Sequence, residues 1–217
     1  MRVVRMTGLS PFILMLIPDT KAKIMNNSHP SSAPDGHLEP LLTAEQIAAR
    51  VRAMGAQISQ DYAGRSVLLV GILKGAAIFL SDLARALTVD ATFDFMAVSS
   101  YGRGQHSSGV VRLIKDLDES MEGRDVMIVE DILDTGLTLS YLRTLLAERQ
   151  PASLKIAVLL DKPSRRKVAI EADYTGFVIE DEFVVGYGLD CAEHYRNLPD
   201  LCILRPSPGE ESSGATG

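Results

Sequence analysis

Two adjacent carboxylates and a glycine-containing turn are the residues of this chain best suited to chemistry. An apolar run, 126–129, ends at Glu130 and Asp131, and a short turn from Asp134 to Thr138 follows at once. In an α/β protein, ligands bind at the carboxyl ends of the strands, where two carboxylates suit a polyol or its bound cation. The turn opens a helix, so its backbone N–H groups suit a phosphate. Together these features predict a site for a ribose phosphate.

Two lysines stand where other apolar runs end. Lys74 follows one run, and burying it there is costly unless it meets water or an anion. Gly75 next to it allows a ligand to approach the backbone closely, although a simple strand-to-helix turn explains the pair equally well. Lys162 follows another run and could donate to a carbonyl oxygen of a ligand. The basic residues 165–167 beyond it are interpreted as a solvated face rather than a nucleic-acid patch.

The stretch 99–109 contains three glycines and four serines in eleven residues, so it predicts a mobile loop. Tyr101 at its base could act as a lid that keeps water from a reacting centre. The alternative is a hairpin tip without a function.

The stretch from Phe183 to Arg196 combines an aromatic ring with polar groups. Phe183 offers a platform on which a planar heterocycle can stack, although in isolation such a residue is more often part of the core. Glycines at 186 and 188 expose backbone groups that can contact ring edges. Asp190 offers hard oxygen to Mg²⁺, and Arg196 offers a planar donor for phosphate oxygens.

Apolar runs and helical periodicities alternate along the chain, which predicts a doubly wound α/β sheet. Thr43 and Gln46 form a potential capping box at the first helix, where Ile47, Val51, Met54 and Ile58 recur at helical spacing. The predicted strands are 66–73, 92–98, 126–129 and 154–160, and the later predicted helices are 76–87 and 137–148.

Length and composition favour one soluble domain. The chain has 217 residues, of which 46% are hydrophobic and 23% charged, and its net charge of −6 argues against a protein that coats nucleic acid. No apolar run approaches the ~20 residues that cross a bilayer. Cys191 and Cys202 have neither metal-site spacing nor a disulfide framework, which predicts thiols in a reducing, cytoplasmic setting.

Residues 1–40 are predicted to be a disordered, dispensable extension. The apolar run 12–17 is short for a secretory leader, and 26–40 are rich in Ser, Pro, Asn and Gly. Translation that starts at Met25 would make the first 24 residues an artefact. The folded domain is predicted at 41–206, and 207–217 are predicted to be a disordered tail.

Taken together, the segments resemble the hypoxanthine-guanine phosphoribosyltransferases of purine salvage, in the family's order over about residues 42–205. The matching segments are 129–138 (the motif for phosphoribosyl pyrophosphate, PRPP), Leu73-Lys74-Gly75 (the pyrophosphate loop), Ser100-Tyr101 (the lid), Leu160-Asp161-Lys162 (the purine-contacting lysine) and 183–196 (the purine hood). The resemblance implies the type I phosphoribosyltransferase fold, a doubly wound, mainly parallel α/β sheet with a small hood subdomain at about 178–205.

The resemblance also implies roles for individual residues. Catalytic residues would be Asp134, Tyr101 and Ser100. PRPP would be bound by Lys74, Gly75, Glu130, Asp131, Ile132, Leu133, Asp134, Thr135, Gly136, Leu137, Thr138 and Arg196. The purine would contact Lys162, Phe183, Val184 and Asp190. Mg²⁺ would be held by Asp190, Glu130 and Asp131.

The implied reaction joins hypoxanthine or guanine to the phosphoribosyl group of PRPP. The implied assembly is a homodimer or homotetramer, and neither nucleic acid nor membrane is an expected partner. Asp134 would share a ring proton of the purine, although it could instead cap the following helix. Two alternatives stay open: an enzyme that prefers xanthine, and a non-catalytic RNA-binding regulator with the same fold. The phosphate-binding patterns of nucleotide-binding dehydrogenases and P-loop kinases do not occur in the sequence.

Overall fold

A mainly parallel sheet of six strands carries most of the residues that the sequence singles out. The computed structural model describes residues 36–100 and 111–206. Its strands are β1 (Gly36–Leu42), β2 (Val67–Leu73), β3 (Ala91–Ser100), β4 (Val111–Lys115), β5 (Asp125–Leu133), β6 (Ser153–Asp161), β7 (Tyr174–Val178), β8 (Val184–Val185) and β9 (Leu201–Pro206). Its helices are α1 (Ala44–Asp61), α2 (Ala77–Ala86) and α3 (Leu137–Ala147), and Pro163–Arg165 form a 3₁₀ turn.

The strand order in the large sheet is β4-β3-β2-β5-β6-β7. Every neighbouring pair is parallel except β3 and β4, so the carboxyl ends of β2, β5 and β6 share one edge. A second sheet, β1-β9-β8, is antiparallel and small. The predicted fold class, a doubly wound and mainly parallel α/β sheet with a small hood, is confirmed.

Apolar strands with helices on both faces explain why the sheet is buried. Leu69 of β2 packs with α1 and α2, whereas its neighbours Leu68 and Val70 pack with α3 on the other face. A strand covered on both faces needs apolar residues at successive positions rather than at alternate ones. The continuous apolar run of β2 satisfies that need.

Helix α1 begins as the sequence predicts. The side chain of Thr43 accepts a hydrogen bond from the Gln46 backbone N–H at 3.4 Å, and the Gln46 side chain accepts one from the Thr43 N–H at 2.8 Å. This reciprocal capping box satisfies two donors that the helix itself cannot pair. The four apolar residues predicted to line the inner face of α1 are all buried.

The hood sheet corrects the predicted start of the ordered chain. Residues 36–40 were expected to be disordered, yet they belong to β1, which pairs antiparallel with β9 from Gly36↔Pro206 to Leu42↔Leu201. Leu41 and Leu42 also pack against the core. Polar composition predicts disorder only where no distant partner satisfies the backbone, and here β9 is that partner.

None of the helices within residues 36–100 and 111–206 is long and apolar enough to cross a membrane. Both cysteines carry free thiols, and Cys202 in β9 is buried.

Removal of residues 1–25 should leave both the melting temperature and the implied transfer activity unchanged, because the first described strand starts at Gly36. Removal of residues 1–42 deletes β1 and should lower the melting temperature by about 5 °C, since a domain of this size shifts by about 2–4 °C per kcal/mol. Thermal unfolding followed by circular dichroism compares the two truncations. A large loss in the shorter one, or none in the longer one, would contradict the new boundary.

Candidate active site

The two adjacent acids lie inside β5 rather than beyond it. The strand was predicted to end at Val129, but its pairing with β6 continues through Glu130↔Val158 to Leu133↔Asp161. Polar side chains near the end of a parallel strand keep the strand geometry as long as the neighbouring strand continues beside them. The acids therefore stand at the carboxyl edge of the sheet on a rigid element.

Burial keeps the acid pair of β5 from ionising freely. The Oε2 atom of Glu130 is buried and has no hydrogen-bond partner among the described residues. Burial raises the pKa of Glu130 well above its usual range, and the charge of Asp131 adds to the rise. Burial also raises the pKa of Asp131 to about 6, although the backbone N–H groups of Ile132 and Asp131 and the Arg196 guanidinium oppose it. Glu130 thus has no compensating group among the described residues, whereas Arg196 partly compensates Asp131.

The pKa of Asp131 predicts how stability depends on pH without ligand or metal. An acid whose folded pKa exceeds its unfolded value stabilises the fold fully below the unfolded pKa, and this contribution is lost as pH rises through the folded pKa. Relative to wild type, Asp131→Asn should therefore gain about 1 kcal/mol in unfolding free energy between pH 5 and 7.5. Urea unfolding in the presence of EDTA measures it. A constant difference between the two proteins would contradict the assigned pKa.

The turn after β2 lies directly against this acid pair. A Cβ atom added to Gly75 would sit 1.6 Å from Asp131 Oδ2. A Cβ added to Gly188, whose φ is +104°, would sit 2.2 Å from the Gly75 carbonyl oxygen. The backbone at Gly75 is therefore packed between β5 and the hood, and only glycine fits. The Leu73–Lys74 peptide at this turn is cis.

Four charged side chains bring together the turn after β2 and the hood. Lys74 Nζ lies 2.8 Å from Glu193 Oε2. Arg196 Nη2 lies 2.8 Å from Asp190 Oδ1 and 3.6 Å from Glu193 Oε1, and Nη1 donates to the Gly188 carbonyl oxygen. Lys74 and Arg196, which the sequence predicted to bind PRPP, thus share one carboxylate, Glu193, that the sequence did not single out.

The predicted phosphate turn opens α3 as expected. Gly136 is the residue before the helix, with φ +81°, and no side chain caps the helix N-terminus. Helix α3 starts at Leu137, and Thr138 lies in its first turn. The Thr135 hydroxyl accepts only a long, 3.5 Å contact from the Leu137 N–H. The alternative that Asp134 caps this helix is therefore wrong, and the helix N-terminus can receive an anion.

Of the three basic residues that follow β6, Arg165 and Lys167 are exposed as the sequence predicted, whereas Arg166 is only partly exposed. Arg166 donates to the carbonyl oxygens of Leu133 and Asp134 and pairs with Asp161. These contacts connect the start of the predicted phosphate turn to the end of β6. Arg165 Nε lies 3.1 Å from Asp134 Oδ1, and its Nη1 lies 3.4 Å from Asp181 Oδ2. Nothing in the spacing of these residues signals the contacts, because their partners come from other parts of the chain.

A cleft of about 260 Å³ lies between the end of β5, with Asp131 and Asp134, and the hood. The residues that line it are Asp131, Ile132, Asp134, Lys162, Phe183, Val184, Leu189 and Asp190. The Phe183 ring is 55% exposed, so it is not part of the core, whereas Lys162 is 7% exposed and donates to the Glu182 carbonyl oxygen. Val184 is buried in β8. An apolar ring, a buried ammonium and carboxylates thus border one space.

Two predicted catalytic residues, Ser100 and Tyr101, lie at the end of β3 and beyond it in the chain. Ser100 is the last residue of β3, and Tyr101 lies outside the described residues. Their role in a lid stays a prediction.

Comparisons with known proteins agree with this architecture. The phosphoribosyl transferase domain family matches residues 37–192. The hypoxanthine-guanine phosphoribosyltransferase of Bacillus subtilis is 52% identical over 167 residues, which are 77% of this chain and 93% of that protein. A crystal structure of a hypoxanthine phosphoribosyltransferase from Staphylococcus aureus has a TM-score of 0.75 and 53% identity, and the match covers 77% of this chain and 91% of that one.

One relative is much longer than the matched region. The bifunctional protein TilS/HprT of Listeria innocua is 54% identical over 166 residues, which are 76% of this chain but only 26% of that protein. The chain thus spans about a quarter of that relative. The family predicted from the motifs is confirmed by the matched domain and by relatives matched over almost their full length. The chain belongs to the phosphoribosyltransferase-domain family and, within it, to the hypoxanthine-guanine phosphoribosyltransferases.

Proposed function

We propose that the chain transfers the 5-phosphoribosyl group of PRPP to hypoxanthine, and to guanine, and releases pyrophosphate. A ring nitrogen of the base forms a bond to the anomeric carbon of the ribose. The bond from that carbon to the pyrophosphate oxygen breaks, and its electron pair leaves with the pyrophosphate. The products are inosinate or guanylate. The observation that carries the proposal is the single cleft where Asp131, Asp134, Lys162 and Phe183 meet.

The leaving pyrophosphate would be held where the turn after β2 meets the hood. Lys74 and Arg196 supply the positive charge, and Gly75 would let the pyrophosphate come close to the backbone. Glu193 pairs with both cations, so pyrophosphate oxygens would replace a carboxylate that already lies there. Preorganised cations aimed at developing negative charge are a large source of catalysis.

The ribose phosphate would lie between β5 and the N-terminus of α3. The N–H groups and hydroxyls of residues 135–138 would receive the 5′-phosphate, because the helix N-terminus has no side-chain cap. Glu130 and Asp131 would face the ribose hydroxyls. Asp134 lines the same cleft as Phe183, so its carboxylate is placed to accept the ring proton that the attacking purine loses.

Carboxylates at this edge of the sheet fit magnesium. The Oε2 atom of Glu130 is buried without a partner among the described residues, and hard oxygens are what Mg²⁺ prefers. Among the described residues, no three His, Cys, Asp or Glu side chains lie together as a metal site. Asp190 would hold one Mg²⁺, and Glu130 and Asp131 would lie near a second, with substrate and water oxygens as the other ligands. When bound, magnesium would neutralise the negative charge of the leaving pyrophosphate.

Lys162 would select 6-oxopurines. Its ammonium is buried beside the cleft, where it can donate to the six-position oxygen while Phe183 stacks on the ring. Adenine carries an amine at that position, so two donors would face each other. Leaving a buried polar group unsatisfied costs about 1–3 kcal/mol.

Replacement of Lys162 with alanine should lower the preference for hypoxanthine over adenine by roughly 10- to 100-fold, the equivalent of that mismatch. Lys162→Met keeps the apolar stem and should give the same loss, which separates the charge from the packing. The ratio of kcat/KM for the two bases measures selectivity. Full selectivity in both variants would refute the contact with the oxo group.

Incubation of the chain with PRPP, hypoxanthine and magnesium tests the proposed function. Release of pyrophosphate together with inosinate is the expected result. Binding of PRPP without any pyrophosphate release would favour the non-catalytic, RNA-binding regulator, and xanthylate as the main product from mixed bases would favour a xanthine enzyme. The cytoplasmic location and the homodimer or homotetramer stay predictions.

A further inference from the structure

Arg165 connects the proposed catalytic carboxylate with the segment that carries the purine platform. It ends the 3₁₀ turn that follows β6. Its Nε atom is 3.1 Å from Asp134 Oδ1, and its Nη1 atom is 3.4 Å from Asp181 Oδ2. Asp181 is two residues before Phe183 in the chain. One guanidinium therefore contacts both the residue placed to take the proton and the segment that places the base.

The same turn holds this segment at a second point. Lys162, at the beginning of the turn, donates to the carbonyl oxygen of Glu182. Arg165 and Lys162 thus fix adjacent residues, Asp181 and Glu182, immediately before the ring of Phe183. The short turn therefore contacts both Asp134 and the segment just before Phe183.

The ion pair of Arg165 with Asp134 is better suited to orienting the carboxylate than to stabilising the fold. The Arg165 side chain is 47% exposed and that of Asp134 is 37% exposed, and ion pairs with such exposure contribute little to folding. A planar guanidinium nevertheless fixes a carboxylate in direction, because its N–H donors have a rigid geometry. A general base that is itself oriented by a third group is a recurring arrangement in catalysis.

We propose that Arg165 is a positioning residue: it holds the Asp134 carboxylate towards the ring nitrogen of the purine and keeps it in register with the Phe183 platform. This proposal rests on the proposed function. Arg165 engages Oδ1 of Asp134, which would leave the other carboxylate oxygen to receive the proton. Lysine at this position would keep the charge but lose the planar, two-ended contact with Asp134 and Asp181.

Steady-state kinetics of Arg165→Ala, with PRPP and hypoxanthine varied separately, tests the proposal. We expect kcat to fall about 10-fold and KM for PRPP to stay within about twofold, since positioning of a general base acts on the chemical step. The melting temperature should stay within about 2 °C of wild type. Free guanidinium at sub-denaturing concentration should restore part of kcat, which a structural defect would not allow. Arg165→Lys should lie between the two.

Two further variants make the result specific. Arg143→Ala removes the same charge from the exposed face of α3, and it should match wild type. In the Asp134→Ala background, Arg165→Ala should cause no further loss of kcat, because the two residues act as one unit.

An unchanged kcat in Arg165→Ala, or a full additional loss in the double variant, would overturn the positioning role. These outcomes are distinct from failure of the proposed function, in which the wild-type chain itself would release no pyrophosphate.

Discussion

Replacing Asp134 with alanine should lower kcat by about 10²- to 10⁴-fold, the range typical of a lost general base. The carboxylate lines the cleft beside Phe183 and does not cap α3, so its removal takes away a proton acceptor rather than a helix-stabilising contact. The affinity for PRPP should change only a few-fold, because the backbone of the phosphate turn stays. Single-turnover rates and PRPP titration separate the two quantities.

A matched variant, Asp134→Asn, keeps the shape of the side chain and can still accept a hydrogen bond from Arg165. It should lose nearly as much turnover as the alanine variant, since an amide cannot take up the proton. Turnover close to wild type in either variant would remove Asp134 as the base, whereas a parallel loss of PRPP affinity and kcat would indicate a structural role.

A second large effect is expected at the turn after β2. Gly75→Ala places a methyl carbon 1.6 Å from Asp131 Oδ2, which is far inside van der Waals contact, so the turn or the carboxylate must move. Either movement separates the pyrophosphate loop from the acid pair. We expect kcat/KM for PRPP to fall at least ~100-fold, equivalent to about 2.7 kcal/mol of transition-state stabilisation.

A double-mutant cycle shows whether that clash is the cause. Asp131→Ala removes the atoms that the new methyl group would strike. Gly75→Ala should therefore lower the melting temperature in the wild-type background and lower it much less in the Asp131→Ala background. Equal destabilisation in both backgrounds would show that another contact of Gly75, such as that with Gly188, limits the substitution.

Local sequence patterns predict much of this fold because they act over short distances. The capping box of Thr43 and Gln46 and the apolar run of β2 need no information from elsewhere in the chain. Five of the described strands were not predicted: β1, β4, β7, β8 and β9. The strands β4, β7 and β8 have only two to five residues, and β1 pairs with β9 from the other end of the described chain. The last part of β5 was missed because its polar residues depend on pairing with β6.

The candidate site likewise contains residues that local sequence patterns predict and residues that they do not. Residues within motifs, such as Lys74 and Phe183, were identified from their neighbours in the sequence. Glu193 was not, because its partner Lys74 is 119 residues away. Arg165 is exposed as predicted, but its contact with Asp134 was not predicted, because the contact exists only once β5 and β6 lie side by side. Long-range ion pairs of this kind have no signature in a single sequence.

A crystal structure of the chain with inosinate, pyrophosphate and magnesium tests the central claim most directly. The 5′-phosphate should lie against residues 135–138, the pyrophosphate should replace Glu193 at Lys74 and Arg196, and the purine should stack on Phe183 with its oxo group at Lys162. A nucleotide bound elsewhere, for example in the cavity of about 740 Å³ beside Arg143 and Arg166, would contradict the account.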